Sequence, residues 1–241
     1  MLLIAGCSFV DNEDFPTVAF GPGVYTDQHA RHLGRGGAGN HYIAQSVLDN
    51  LHDADRVFIL WSGLHRIDVS LPKSLREDLG TYDHAHETRD ELWFHSGGFA
   101  GTWHSHSRHH YPDWLYQYIQ AQYKSMDWQY LTHRSLSAIA SCLAVLEMRE
   151  IPYAFGFIYD IHRDYSDTHS ALGTPVDVTD PVYQLIPWNR CLKTTPLEFC
   201  TEHGLLQDDG FHPTREGYRR WWDTVRDQVP FGLFGPTKAS R

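Results

Sequence analysis

The chain has 241 residues, with 20 Lys and Arg against 30 Asp and Glu, for a formal net charge of −10. That length suits one large domain with a sizeable core, and 41% hydrophobic residues exclude a disordered chain. The acid excess argues against general nucleic-acid binding, which wants a basic face, and no apolar run approaches the roughly 18 residues that span a bilayer.

In chain order, residues 2–5 form a short apolar run stopped by Gly6, which suits a buried strand. Residues 11–30 are irregular. Gly34-Arg35-Gly36-Gly37-Ala38-Gly39 is a glycine-rich turn, and Asn40 can cap a helix that runs to about Leu51 with Ile43, Val47, Leu48 and Leu51 on one face. Residues 56–61 (RVFILW) are the clearest buried strand. A segment from 68 to 125 shows no sustained period. Residues 133–149 read as a strong helix, ended by Ile151-Pro152, and 153–159 as another buried strand. Residues 160–205 read as loop-rich, and 214–229 as a last helix carrying Tyr218, Trp221, Trp222 and Val225. Strands alternating with helices predict a parallel α/β sheet with helices on both faces. Neither a repeat nor a linker divides the chain.

The cysteines carry little. Cys7, Cys142, Cys191 and Cys200 have no C-x-x-C spacing, so reduced thiols in a cytoplasmic protein are expected, a Cys191–Cys200 disulfide being the one pairing considered. Residues 3–7 resemble a lipoprotein cleavage box, but no charged start or apolar stretch of about 7–15 residues precedes them, so no export signal is read.

Ligand sites in parallel sheets sit at the carboxyl ends of the strands. Three segments deliver polar groups to that edge: Gly6-Cys7-Ser8-Phe9, the glycine turn, and Trp61-Ser62-Gly63-Leu64-His65-Arg66. A fourth cluster, Asp208-Asp209-Gly210-Phe211-His212-Pro213, precedes the last helix. A serine on a tight strand-to-helix turn exposes its hydroxyl, while a His and an Asp three residues apart supply a base and the group that orients it. Glycines let backbone N–H groups approach a developing oxyanion.

In order and content these blocks resemble the SGNH hydrolases, the GDSL-type esterase and lipase superfamily. Gly6-Cys7-Ser8-Phe9 stands at the Gly-Asp-Ser block with Cys7 in the Asp place, Gly34-Arg35-Gly36-Gly37 at the glycine block, and Asp209-Gly210-Phe211-His212 at the Asp-x-x-His block. The resemblance implies Ser8 as nucleophile, His212 as general base and Asp209 as its orienting carboxylate, with the amides of Ser8 and Gly37 forming the oxyanion hole. It implies a flavodoxin-like three-layer α/β/α sandwich of about five parallel strands, in one domain spanning 1–241 whose segments 68–125 and 160–205 are insertions forming a cap. The third block departs: Gly63-Leu64-His65-Arg66 replaces Gly-x-Asn-Asp, so the side-chain donor to the oxyanion falls to His65 or Asn40. Arg66, with Arg35, is the nearest candidate for an anionic substrate group.

The function expected from this resemblance is a serine esterase that hydrolyses small acyl esters without a cofactor. The alternative is a non-catalytic carbohydrate-binding or assembly protein that kept the fold. Of the 17 His, five (His95, His104, His106, His109, His110) fall within 16 residues. His104-x-His106 on a strand would share a face and suit zinc given a third ligand. No H-E-x-x-H occurs, and an exposed loop at the mouth of the site is the reading taken. Trp93, Phe94, Phe99, Trp103, Tyr111 and Trp114 accompany these histidines and suit sugar stacking, which makes a carbohydrate ester the expected substrate. Trp221 and Trp222 are expected as core and partner surface.

Overall fold

A computed structural model describes residues 1–11, 14–20, 30–75, 86–87, 91–95, 113–165 and 174–229. Four parallel strands form its central sheet: β1 (Leu2–Gly6), β2 (Ala30–His32), β3 (Arg56–Trp61) and β7 (Tyr153–Phe157), in the order β2-β1-β3-β7. In β1 and β7 every residue is buried, as continuous apolar runs in parallel sheets require. The registers Gly6↔Leu60 and Leu60↔Gly156 bring the carboxyl ends of β1, β3 and β7 to one edge. Beyond β7 the described residues add one parallel bridge, Phe155 to Cys191, and no fifth strand.

Helices cover this sheet. Asn40–Asp49 (α3) packs on Trp128–Met148 (α5), and Asp14–Phe20 (α2) packs on Arg215–Val225 (α7) beside Pro196–Glu202 (α6). The arrangement is compatible with three α/β/α layers. Helix α5 begins earlier than its periodicity predicts, because the Asp127 side chain accepts from the amides of Gln129 and Tyr130 and caps it. In α7 both Trp221 and Trp222 are core residues, 0% and 3% exposed, so the expectation of a partner surface at this pair is corrected. The reason is α2, whose Phe15 and Phe20 close over the two indoles at ring distances of 5.3–5.9 Å.

The stretch from 68 to 125 is more regular than its sequence suggests. Asp68–Pro72 (β4), His86–Glu87 (β5) and Glu91–His95 (β6) form a second, antiparallel sheet in the order β4-β6-β5, followed by helix Asp113–Ser125 (α4). Alternation along β6 assigns its faces. Trp93 and His95 meet Tyr42 of α3, whereas Phe94 packs with Leu115 and Ile119 of α4 in a small separate cluster. Trp93 and Phe94 are 7% and 0% exposed, so neither ring offers a face to a sugar. Trp114 is half exposed on α4, while Phe99, Trp103 and Tyr111 lie outside the described residues.

All four cysteines are free thiols, and burial pushes Cys142, Cys191 and Cys200 up to about 12. Among the described residues no helix is long and apolar enough to cross a membrane.

Gly6 marks where β1 must end. A Cβ there would lie 2.5 Å from Val10 Cγ2 and 2.9 Å from the Leu60 carbonyl oxygen. The side chain of Val10 can turn, but the backbone of β3 cannot yield without disturbing the ladder. Gly6→Ala is therefore expected to lower stability by about 1–3 kcal/mol, read as an earlier midpoint in urea at unchanged m-value.

Candidate active site

The site starts at the end of β1. Cys7 is buried, and its carbonyl accepts from the amides of Val10 and Asp11 at 2.9 Å. That closes a single helical turn, α1 (Ser8–Asp11), directly after the strand. Ser8 is the first residue of this turn and is half-buried, so its hydroxyl faces the carboxyl edge of the sheet.

The Ser8 hydroxyl donates to His212 Nε2 at 2.9 Å, and His212 Nδ1 donates to Asp209 Oδ2 at 2.5 Å. An ionised carboxylate only accepts, so the contact with Asp209 puts the ring proton on Nδ1 and leaves Nε2 to accept from Ser8. Partial burial works against a charged Asp209. The hydrogen bond from His212 and the amides of His212 and Phe211 outweigh it, holding the carboxyl below its usual range. The triad stays accessible, with His212 27% and Asp209 46% exposed.

The loop bearing His212 is built locally. The Gln207 amide donates to the His212 carbonyl at 2.7 Å, and Gly210 turns the chain at φ 68°. Leu206 and Pro213 form an antiparallel bridge. Thr214 then caps α7 by accepting from the Gly217 amide at 3.1 Å. Phe9 holds the imidazole from the side, with ring distances of 5.1 Å to Phe211 and 5.2 Å to His212. Phe9 and Phe211 gave no separate signal in the sequence, although each adjoins a triad residue.

The glycine turn is tied to both flanks of Ser8. The Arg35 amide donates to the Gly6 carbonyl at 3.1 Å, and the Gly36 amide to Asp11 Oδ2 at 2.6 Å. The Ala38 amide donates back to the Arg35 carbonyl at 3.2 Å, closing a turn in which Gly37 sits at φ 76°. A positive φ at the third position of such a turn calls for glycine. Among the described residues the amides of Ser8 and Gly37 have no acceptor.

The departing third block does other work. His65 is 3% exposed. Its Nε2 lies 3.0 Å from Thr132 Oγ1 and its ring stands edge-on to Trp128 at 4.4 Å, which places it against α5. Arg66 is 6% exposed and donates from Nη1 to the Ala38 carbonyl at 3.1 Å. It props the glycine turn from beneath, whereas the expectation was an anionic substrate group. Asn40 is fully buried: its Oδ1 accepts from the Ser62 amide at 2.8 Å, and its Nδ2 donates to the Ser62 carbonyl at 3.2 Å and to Ser135 Oγ at 3.3 Å. A side-chain amide has two N–H donors, and both are used. Asn40 thus braces β3, α3 and α5 together.

A residue with no signal in the sequence holds the turn's far end. Asp68 Oδ1 accepts from the Gly39 amide at 2.8 Å and from His95 Nδ1 at 2.9 Å, and Oδ2 accepts from the Tyr42 amide at 3.0 Å. The carboxylate sits at the positive end of α3. Burial opposes its charge, yet the His95 bond and the two amides outweigh that and hold its carboxyl below the ordinary value. His95 is therefore a buried partner of Asp68, 2% exposed, and not part of an exposed loop. His104, His106, His109 and His110 lie outside the described residues.

At the carboxyl end of β7 a cavity of about 550 Å³ is lined in part by Glu198. Burial raises the Glu198 carboxyl to about 7, with the Asp160 charge adding to the rise, while the Asp160 amide and Arg163 oppose it. The Tyr165 hydroxyl donates to Glu198 Oε1, and the Asp160 amide to Oε2 at 3.0 Å. A carboxyl raised by folding stabilises fully below its unfolded pKa of about 4.5, and that contribution is lost as pH rises through about 7. Glu198→Gln is expected to flatten the fall in stability between these values, measured as urea midpoints across the range.

No protein-family model matches this chain, and no curated protein matches it, so the reading of the site rests on its residues and their geometry.

Proposed function

We propose that the protein is a serine esterase of the SGNH type, with Ser8 as nucleophile, His212 as general base and Asp209 as the orienting carboxylate. The observation that carries this reading is the continuous chain from Ser8 Oγ through His212 to Asp209, with links of 2.9 Å and 2.5 Å. Residues 204 positions apart in sequence meet at the carboxyl edge of a parallel sheet, where such folds place their sites. In this reading the sheet belongs to a flavodoxin-like sandwich, with 68–125 and 160–205 as insertions beside the site.

His212 Nε2 takes the Ser8 proton as Oγ forms a bond to the ester carbonyl carbon. The carbonyl oxygen becomes an oxyanion, received by the amides of Ser8 and Gly37. Collapse breaks the bond to the leaving alcohol, which takes the proton from His212, and leaves an acyl group on Ser8. Water, deprotonated by the same imidazole, attacks the acyl-enzyme, releasing the acid and restoring Ser8. Asp209 stabilises the imidazolium in both halves. With Asn40 and His65 engaged elsewhere, the hole rests on two amides. A missing side-chain donor costs about 2.7–4 kcal/mol in a comparable hydrolase, so slow turnover of simple esters is expected.

The experiment is hydrolysis of 4-nitrophenyl acetate by the wild type and by Ser8→Ala. Turnover by the wild type that is lost in the variant supports the esterase. The same rate in both rejects Ser8 as nucleophile. A folded wild type with no turnover favours the alternative, a binding protein that kept the fold.

A further inference from the structure

A cavity of about 900 Å³ opens beside the glycine turn between β2, α3 and the end of α5. Its charge is opposite to that of the chain. Acids outnumber bases 30 to 20 overall, yet among the described lining residues Arg31, Arg35, Lys73 and Arg149 stand against one carboxylate, Asp49, and Lys73 has a partner of its own. Asp49 is itself engaged, accepting from Gln45 Nε2 at 2.7 Å. His52 also lines the cavity but pairs with Asp53 at 2.8 Å, so it adds little net charge.

Three arginines from separate elements line the cavity. Arg31 projects from the edge strand β2, and Arg149 ends α5. Neither has an acidic partner among the described residues. Arg35 belongs to the glycine turn, donating to the Gly34 carbonyl at 2.9 Å and lying 3.9 Å from Asp11 Oδ1. Like charges gathered in a concavity repel one another, and the cleft focuses their field. Such an arrangement suits an anion of more than one charge, and guanidinium forks match phosphoryl oxygens. The volume falls in the range of small-molecule sites.

The Arg35 amide is bonded to Gly6, yet none of Ser8, Gly37 and His212 is among the described lining residues, and the cavity extends toward Asp49, His52 and Arg149, which precede β3 and β7 at the amino edge of the sheet. We propose that this cavity binds a phosphate-type polyanion at a place separate from Ser8. Anion binding here does not depend on the esterase reading.

The test uses a simple polyanion. Inorganic pyrophosphate is titrated calorimetrically into the Ser8→Ala protein, in which no acyl chemistry occurs. Saturable binding is expected, weakened tenfold or more in Ser8→Ala/Arg31→Ala/Arg149→Ala and weakened again by raised salt. Arg31 and Arg149 are exposed, and circular dichroism checks that the variant is folded. Retained binding in an Arg31→Lys/Arg149→Lys version would agree with a role for charge. Tricarballylate, a polyanion without phosphorus, is expected to bind at least tenfold more weakly. No pyrophosphate binding, binding indifferent to both arginines, or equal binding of tricarballylate overturns the proposal. Failure of the esterase reading shows separately, as ester hydrolysis indifferent to Ser8→Ala.

Discussion

Ser8→Ala is expected to lower kcat/KM for an aryl acetate by at least about 10³-fold while leaving the fold intact. The side chain is half-buried at the start of a one-turn helix, and alanine fits there without strain. His212→Ala should cost about as much, since in the proposed mechanism the imidazole both takes and returns the proton. The double variant should be little worse than either single one, because the residues act as a unit and the second loss removes nothing further. Asp209→Asn should cost less. In the proposed mechanism Asp209 orients and stabilises the imidazolium without touching the substrate, and at 46% exposure water replaces part of its field. A sum of independent losses in the double variant would show that Ser8 and His212 do not work on one step.

Asp68→Ala carries the largest expected effect on stability. One buried carboxylate serves as acceptor for the Gly39 amide, the Tyr42 amide and the His95 ring. Removing it strands all three donors in a dry environment, and breaking a buried pair of this kind costs about 3–5 kcal/mol. Chemical denaturation measures the loss. The pH dependence has a definite sign. Folding lowers the Asp68 carboxyl, so its contribution is complete above the ordinary value of 3.8 and lost as pH falls through the lowered one. The acid limb of the wild-type stability profile should therefore be steeper than that of Asp68→Ala. Because Gly39 ends the turn that carries Gly37, the variant is also expected to lower kcat more than it raises KM.

How far the sequence disclosed this arrangement depends on the range of each interaction. The β1–Ser8 turn was legible because an apolar run, a glycine stop and a serine are adjacent. Asp209 and His212 were legible because one short loop contains both, and Thr214 announces the helix that follows. Strand β2 was not. Its three residues, Ala-Arg-His, have no apolar pattern, and only pairing with Leu2, Leu3 and Ile4 makes them a strand. The second sheet was missed for a related reason: β4 carries its two apolar side chains, Val69 and Leu71, toward a small cluster supplied by residues from 94 to 123. His95 looked like one of an exposed group, since its partner Asp68 is 27 positions away. Asn40, His65 and Arg66 were located at the correct edge, but their roles depend on Ser62, Thr132 and Ala38, contacts that spacing does not encode.

The central claim is that Ser8 is a nucleophile activated by His212, and a fluorophosphonate probe tests it most directly. The account predicts a single covalent adduct per chain, mapped by mass spectrometry to the peptide containing Ser8, formed rapidly by the wild type and at least about 10²-fold more slowly by His212→Ala. A folded wild type that stays unlabelled, or one labelled at another residue with Ser8 untouched, would contradict it.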